Sequence, residues 1–300
     1  MKQRILYFDI LNVLACFAVI VLHHNGIVHY YKVNTLEWKQ ALFFEVLFYW
    51  AVPVFFMLTG ASLLSYREKY STKKFFTKRV SRAVVPFLIW SFILLIHTWL
   101  VGNFPYNNIK DIFNAVIMTK VPHGDIYWFF MPLFSLYFLF PVLSLLKDNQ
   151  KILWYIVCFL FITHSCLPIF FNALGLKYNN ALQFPMLGYA LFALLGFLFS
   201  NIELNKLHRI LIYTLGVLSV LLRYLGTYYY SLSQGKLDKY LFGYIQFHSV
   251  LLALAVFVFI KYNFNKMESE KGIKWLTILS SCSLGIYLIH KLAMSYELYF

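Results

Sequence analysis

Apolar stretches of membrane-crossing length recur along the chain, at 6–27, 41–65, 83–101, 127–146, 152–171, 181–200, 210–230, 243–261 and 275–293. The hydrocarbon core of a bilayer takes about 20 apolar residues in a helix, so each stretch predicts one crossing. Together they predict an all-α, polytopic transmembrane helical bundle of about nine spans. No internal repeat or low-complexity segment interrupts the series, and no linker is long enough to separate a second domain. Residues 1–300 therefore read as one integral-membrane domain. The basic lead of Lys2 and Arg4 before an apolar run has the outline of a signal peptide. The run is too long and lacks a small-residue cleavage site, which makes it a retained first helix.

Composition agrees with this pattern. Hydrophobic residues make up 61% and charged residues 13%, against about 45–50% and about 25% in soluble domains. The aromatic share of 21% suits a membrane protein with interfacial belts. A net charge of +14 could suggest nucleic acid, but its distribution follows topology instead. With the N-terminus in the cytoplasm, 17 of the 26 Lys and Arg fall on cytoplasmic segments, including the dense block 67–82. This predicts a multi-pass protein of the cytoplasmic membrane, N-terminus inside, with Phe300 outside. The cysteines (Cys16, Cys158, Cys166, Cys282) lie in apolar runs without paired spacing, so neither a zinc site nor a disulfide framework is indicated.

Polar residues inside the spans carry the candidate chemistry. On the first helix Asp9, Asn12, Cys16 and His23 fall near one stripe at 100° per residue. Asn12 and His23 lie about 16 Å apart along the axis, and His23 about 27 Å from the Ile5 end, toward the outer face. A lone histidine there would mark the interface. The His23–His24 pair, on a stripe with Asp9 and Asn12, instead points to function, because intramembrane polar residues are costly. A neutral imidazole is a natural general base for a hydroxyl; His23 is the candidate and His24 the secondary one.

Glu45 sits at a similar depth in the second span and could orient an imidazole; a carboxylate at a wet helix start explains it equally well. Pro53, Thr59 and Gly60 predict a kinked helix with a small-residue contact surface. In the basic loop, Lys78 and Arg82 are four residues apart, and with Arg79 they could hold the phosphates of a nucleotide-bearing substrate. Anionic lipid headgroups explain the same charges, and on charge alone that reading is the stronger one. Asp125, Arg223, His248 and His290 all fall toward the outer side. Trp128 and Tyr228 to Tyr230 add aromatic faces of the kind a sugar cavity uses. No Walker loop, dinucleotide glycine pattern, G-x-S-x-G or H-E-x-x-H occurs. His24 and His29 are too loosely supported to propose a metal.

The stretches YFDILNVLACFAVIVLHH, YWAVPVFFMLTGASLL, KRVSRAVVPFLIWSF, IYWFFMPLFSLYFLFPVLS and SLGIYLIHK together resemble the integral-membrane acyltransferase 3 family of bacterial O-acyltransferases, over nearly the whole chain. The resemblance implies a ten-helix enzyme that takes an acyl group, commonly acetyl, from cytoplasmic acyl-CoA as co-substrate. Its acceptor would be a carbohydrate of the bacterial cell envelope, such as capsule, exopolysaccharide, lipopolysaccharide or peptidoglycan. No bound cofactor and no nucleic acid is implied. His23 matches the family's essential histidine, and Arg79 and Arg82 its paired donor-binding arginines. Asn12 stands where the family commonly has Arg, and Tyr49 where an Arg often precedes W-A-V-P. The tenth helix is expected to be absent. The rival reading is a transporter or flippase for a surface glycan or its lipid-linked precursor, which would need neither the arginine pair nor a base at His23. A structural partner of a polysaccharide synthase would need neither cavity nor base.

Overall fold

The structure is a computed structural model that describes residues 5–30, 32–183, 187–265 and 269–297. Among these residues every regular element is helical. In chain order the α-helices are α1 (Leu6–His24), α2 (Ile27–Tyr30), α3 (Leu36–Phe48), α4 (Ala51–Leu63), α5 (Thr72–Arg79), α6 (Val85–Leu100) and α7 (Ile109–Ile117). They continue as α8 (Phe130–Leu143), α9 (Gln150–Leu160), α10 (Leu167–Ala173), α11 (Ala190–Asn201), α12 (Lys206–Gln234), α13 (Phe247–Asn263) and α14 (Glu270–Glu297). Among the described residues, seven stretches are long and apolar enough to cross a membrane: Leu6–Tyr30, Leu36–Glu68, Thr72–Leu100, Asp125–Leu143, Gln150–Ala173, Lys206–Gln234 and Glu270–Tyr296. Two shorter apolar helices, α11 and α13, occupy the remaining predicted positions. The chain is a polytopic helical bundle.

Local chemistry sets the helix ends. The Thr35 hydroxyl accepts the Trp38 N–H at 3.3 Å, so α3 begins before the predicted 41. The predicted span 41–65 is broken at Tyr49 and Trp50. Pro53 has no N–H for the Tyr49 carbonyl, and its ring crowds that oxygen. Two π-turns, Val80–Val84 and Phe161–Cys166, each come just before a proline, Pro86 and Pro168. In both cases the ring crowds a carbonyl four residues back, Arg82 or His164, and the widened turn gives it room.

The two shortened spans have side-chain causes. Asn179 captures the Ala181 N–H at 3.0 Å and starts a 3₁₀ turn, so α11 begins at Ala190 rather than 181. The part of that prediction at 184–186 lies outside the described residues. Gln246 accepts the Gly243 N–H at 3.0 Å and donates to the Tyr240 carbonyl at 2.7 Å. This holds residues 240–246 as a loop, and α13 begins at Phe247 rather than 243.

The described residues of Met1–Leu64 and Leu146–Ser283 form one compact unit, and those of Ser65–Leu145 and Leu284–Phe300 form a second. In the first unit α4 and α11 meet backbone to backbone at Gly60 and Gly196, the close approach that small residues permit between membrane helices. Helix α11 is buried from Ala190 to Phe199. Its last carbonyls are capped by the Lys261 ammonium, which donates to Phe199, Ser200 and Ile202 at 3.1, 3.4 and 2.7 Å. The second unit has an aromatic core that includes Phe75, Phe87, Tyr127, Phe130 and Phe140. Tyr127 donates to the Leu288 carbonyl at 2.9 Å and Tyr287 donates to Ile126, which fasten the end of α14 to the Asp125–Phe129 turn.

Candidate functional site

His23 and His24 form the last turn of α1, His23 half-buried and His24 exposed. The helix ends at Asn25, whose N–H bonds the Val21 carbonyl at 3.0 Å. The Asn25 side-chain amide reaches α3, donating to the Ala41 carbonyl at 2.8 Å and to Glu45 Oε2 at 3.4 Å. Trp38 secures the same junction by donating to the Val28 carbonyl at 3.1 Å. The buried Glu45 carboxylate is thereby linked to the turn that carries His23. Sequence reading missed Asn25, although its place directly after the histidine pair is a signal.

A second group lies within electrostatic reach of Glu45. Arg223 of α12 is 1% exposed. Its guanidinium carbon sits 3.3 Å from the centre of the Tyr49 ring and 5.0 Å from that of Phe242. Tyr49 stacks in turn on Tyr244, with centroids 4.2 Å apart, while its hydroxyl donates to the Phe242 carbonyl. Arg223 lies within electrostatic reach of Glu45, Tyr244 and His248. The buried His248 donates from Nε2 to Gln246 Oε1 at 3.0 Å. That direction follows because Oε1 also accepts the Gly243 N–H and the Gln246 amide nitrogen serves Tyr240. The structure thus brings Glu45, Tyr49, Arg223 and His248 into one cluster of the first unit, and adds Tyr244 and Gln246.

Asp9 and Asn12 are elsewhere on α1. Asp9 Oδ1 accepts from the Ser280 hydroxyl at 2.6 Å, and Asn12 donates to the Ser280 carbonyl at 2.8 Å. Cys16 donates to the Ser283 carbonyl at 3.7 Å. The polar stripe of α1 therefore faces the serines of α14 along this part of its length, and these residues do not join the Glu45–Arg223 cluster.

Lys78, Arg79 and Arg82 belong to the second unit, across the end of α5 and the π-turn that follows. The Lys78 ammonium lies 4.2 Å from the centre of the Tyr70 ring. Arg79 lies between Phe75 and Tyr137, at 5.8 Å from each ring, and its buried Nε has no hydrogen-bond partner. Arg82 is exposed. Lys78 and Arg79 thus rest against aromatic faces, and a segment with three cations at this spacing is chemically suited to a phosphate. Asp125, Trp128 and His290 also belong to this unit. Asp125 pairs with Lys291 at 3.5 Å, a partly exposed contact of little energetic weight. The buried His290 bonds through Nδ1 to the Tyr287 carbonyl at 2.8 Å. They are not part of the Glu45–Arg223 cluster.

An all-helical, multi-pass bundle with ionisable groups sequestered in its apolar interior defines an integral-membrane protein with built polar sites. The chain matches the acyltransferase 3 family model, described as an acyltransferase domain, over residues 5–297, and it belongs to that family. No curated protein and no solved structure matches it. The chain is a membrane acyltransferase.

Proposed function

We propose that this acyltransferase moves an acyl group, acetyl in the simplest case, from cytoplasmic acyl-CoA to a hydroxyl of a cell-surface or exported carbohydrate. The observation that carries the reading is family membership across residues 5–297, which includes both the histidine-bearing first helix and the basic 78–82 segment. Lys78, Arg79 and Arg82 hold the phosphates of the donor on the cytoplasmic side. His23 takes the proton of the acceptor hydroxyl as that oxygen attacks the thioester carbonyl. The carbon–sulfur bond then breaks, the thiolate recovers the proton from the imidazolium, and free CoA leaves. Glu45 positions the histidine turn through Asn25 and offsets the charge that His23 gains. Donor and acceptor approach from opposite faces of the cytoplasmic membrane, and only the acyl group crosses.

Sealed vesicles of known orientation test the whole reading. Acetyl-CoA is expected to be consumed only when offered at the face bearing residues 66–82, and acetylated glycan is expected to appear at the other face. Glycan translocation with no thioester consumed would replace this reading with a flippase. Acetylated product on the donor face would reject the outer placement of His23.

A further inference from the structure

The buried face of α12 is polar along its length: Gly216, Ser219, Arg223, Thr227 and Ser231. Two of these residues are unspent. None of the three Arg223 nitrogens has a hydrogen-bond partner, and neither has the Thr227 hydroxyl one turn on, although both residues are 1% exposed. The guanidinium carbon lies 3.3 Å from the Tyr49 ring centre, and ring support of this kind does not use up the N–H donors. Glu45 is near enough to feel the charge but makes no hydrogen bond to it; its carboxylate accepts from the Asn25 amide. A buried cation with unmet donors is among the costliest features a bundle can carry.

We propose that Arg223 and Thr227 form an anion subsite, and that the acceptor carries a carboxylate or phosphate ester which Arg223 grips through its unpartnered N–H donors. This rests on the acyl-transfer reading and names its acceptor class: an acidic glycan. The guanidinium fork matches two oxygens of such a group. Thr227 Oγ1, on the same face one helical turn away, donates to the same group. Tyr49, held between Arg223 and Tyr244, fixes the guanidinium in place for that group. The Glu45 carboxylate, an acceptor only, receives neighbouring hydroxyls. A neutral glycan would offer single hydroxyl acceptors but neither the charge nor the paired oxygens that match the guanidinium fork.

The test is a binding measurement on the full chain in nanodiscs, with no acyl-CoA present. Calorimetry compares a uronate trisaccharide, the same trisaccharide with neutral hexoses, and its 6-phosphorylated form. At least one anionic form is expected to bind about tenfold or more tighter than the neutral one, and whichever does identifies the source of the charge. The preference is expected to vanish in Arg223→Gln and to fall severalfold in Thr227→Val. Should Arg223→Gln not yield a monodisperse protein, Thr227→Val and the wild-type comparison decide. Equal binding of all three sugars overturns the proposal, as does a preference that survives Arg223→Gln or is untouched by Thr227→Val. The acyl-transfer reading fails separately: anion-selective binding without CoA release on adding acetyl-CoA removes that reading alone, and CoA release on neutral glycans without anion preference removes this one alone.

Discussion

Asn25, two residues beyond His23, donates to Glu45 Oε2 at 3.4 Å and to the Ala41 carbonyl at 2.8 Å. The end of α1 is therefore fastened to the turn of α3 that carries the carboxylate. Glu45→Gln keeps the volume and an oxygen for Asn25 but removes the charge. Acyl transfer is expected to fall by at least about tenfold, with the thermal midpoint little changed. In the proposed mechanism the lost charge acts on an imidazolium, so the pH profile of kcat is expected to shift as well. A rate loss with an unmoved profile would reduce Glu45 to a packing role.

His23→Ala is expected to lower acyl transfer by about 10²–10⁴-fold, the contribution of a positioned general base. His23 is only half-buried at a helix end, so membrane insertion and expression are expected to persist. His24→Ala is the control, since its side chain is exposed. Radiolabelled acetyl incorporation into polymer separates the two variants, and equal losses would show that the base is not His23 alone.

Arg79→Ala and Arg82→Ala are expected to weaken acetyl-CoA binding measured by calorimetry, and raised salt to imitate the effect by screening. Lys at either position restores charge without the paired donor geometry, so rescue is expected to be partial. The aromatic sandwich around Arg79 makes its variant the more disruptive of the two, because Phe75 and Tyr137 lose a cation that bridges them. Unchanged affinity in both alanine variants would return the cluster to lipid anchoring.

Much of the bundle is legible in the sequence because a run of about 20 apolar residues has few other uses. What is not legible depends on contacts far apart in the chain. Tyr49 and Arg223 stand in different spans, and nothing local indicates that one ring would support the other's guanidinium. Lys261 reads as one more cytoplasmic cation, whereas its ammonium is buried on the carbonyls that end α11. Asp9 and Asn12 share the stripe with His23, yet spacing alone cannot say that Ser280 occupies their part of it. The buried polar face of α12 could have been found: Ser219, Arg223, Thr227 and Ser231 recur at four-residue spacing, the mark of one helical face.

The Lys261 cap also gives a pH prediction. Glu203 Oε1 lies 3.2 Å from the Lys261 ammonium, and Oε2 accepts from the Tyr262 hydroxyl at 2.9 Å. The Tyr262 hydrogen bond first, then that from Lys261, holds the Glu203 carboxyl below its ordinary range. A carboxyl depressed in the folded state adds stability above its unfolded value of about 4.3 and loses it as pH falls through the folded value. The difference in thermal midpoint between wild type and Glu203→Gln is therefore expected to be constant near neutrality and to close below about pH 4. Its size is expected to be small, because Glu203 is largely exposed. A difference that stays open through that range would mean the carboxylate charge plays no part in the cap.

Glycine substitutions separate packing from propensity. A Cβ on Gly60 would lie 1.8 Å from the Ala193 carbonyl oxygen, and one on Gly196 would lie 2.0 Å from that of Met57. Neither oxygen belongs to a flexible side chain, so α4 and α11 must move apart to admit a methyl group. Gly60→Ala and Gly196→Ala are each expected to destabilise by about 1–3 kcal/mol. Gly285, in the middle of α14, would place its Cβ in open space. There alanine removes only the entropy cost of a helical glycine, and Gly285→Ala is expected to stabilise by about 0.5–1 kcal/mol. The same change of one hydrogen to a methyl group thus carries opposite signs at positions that look alike in sequence. Thermal unfolding in a single detergent reads all three; tolerance at both Gly60 and Gly196 would contradict the close contact of α4 with α11, and destabilisation by Gly285→Ala would contradict the open space at that position.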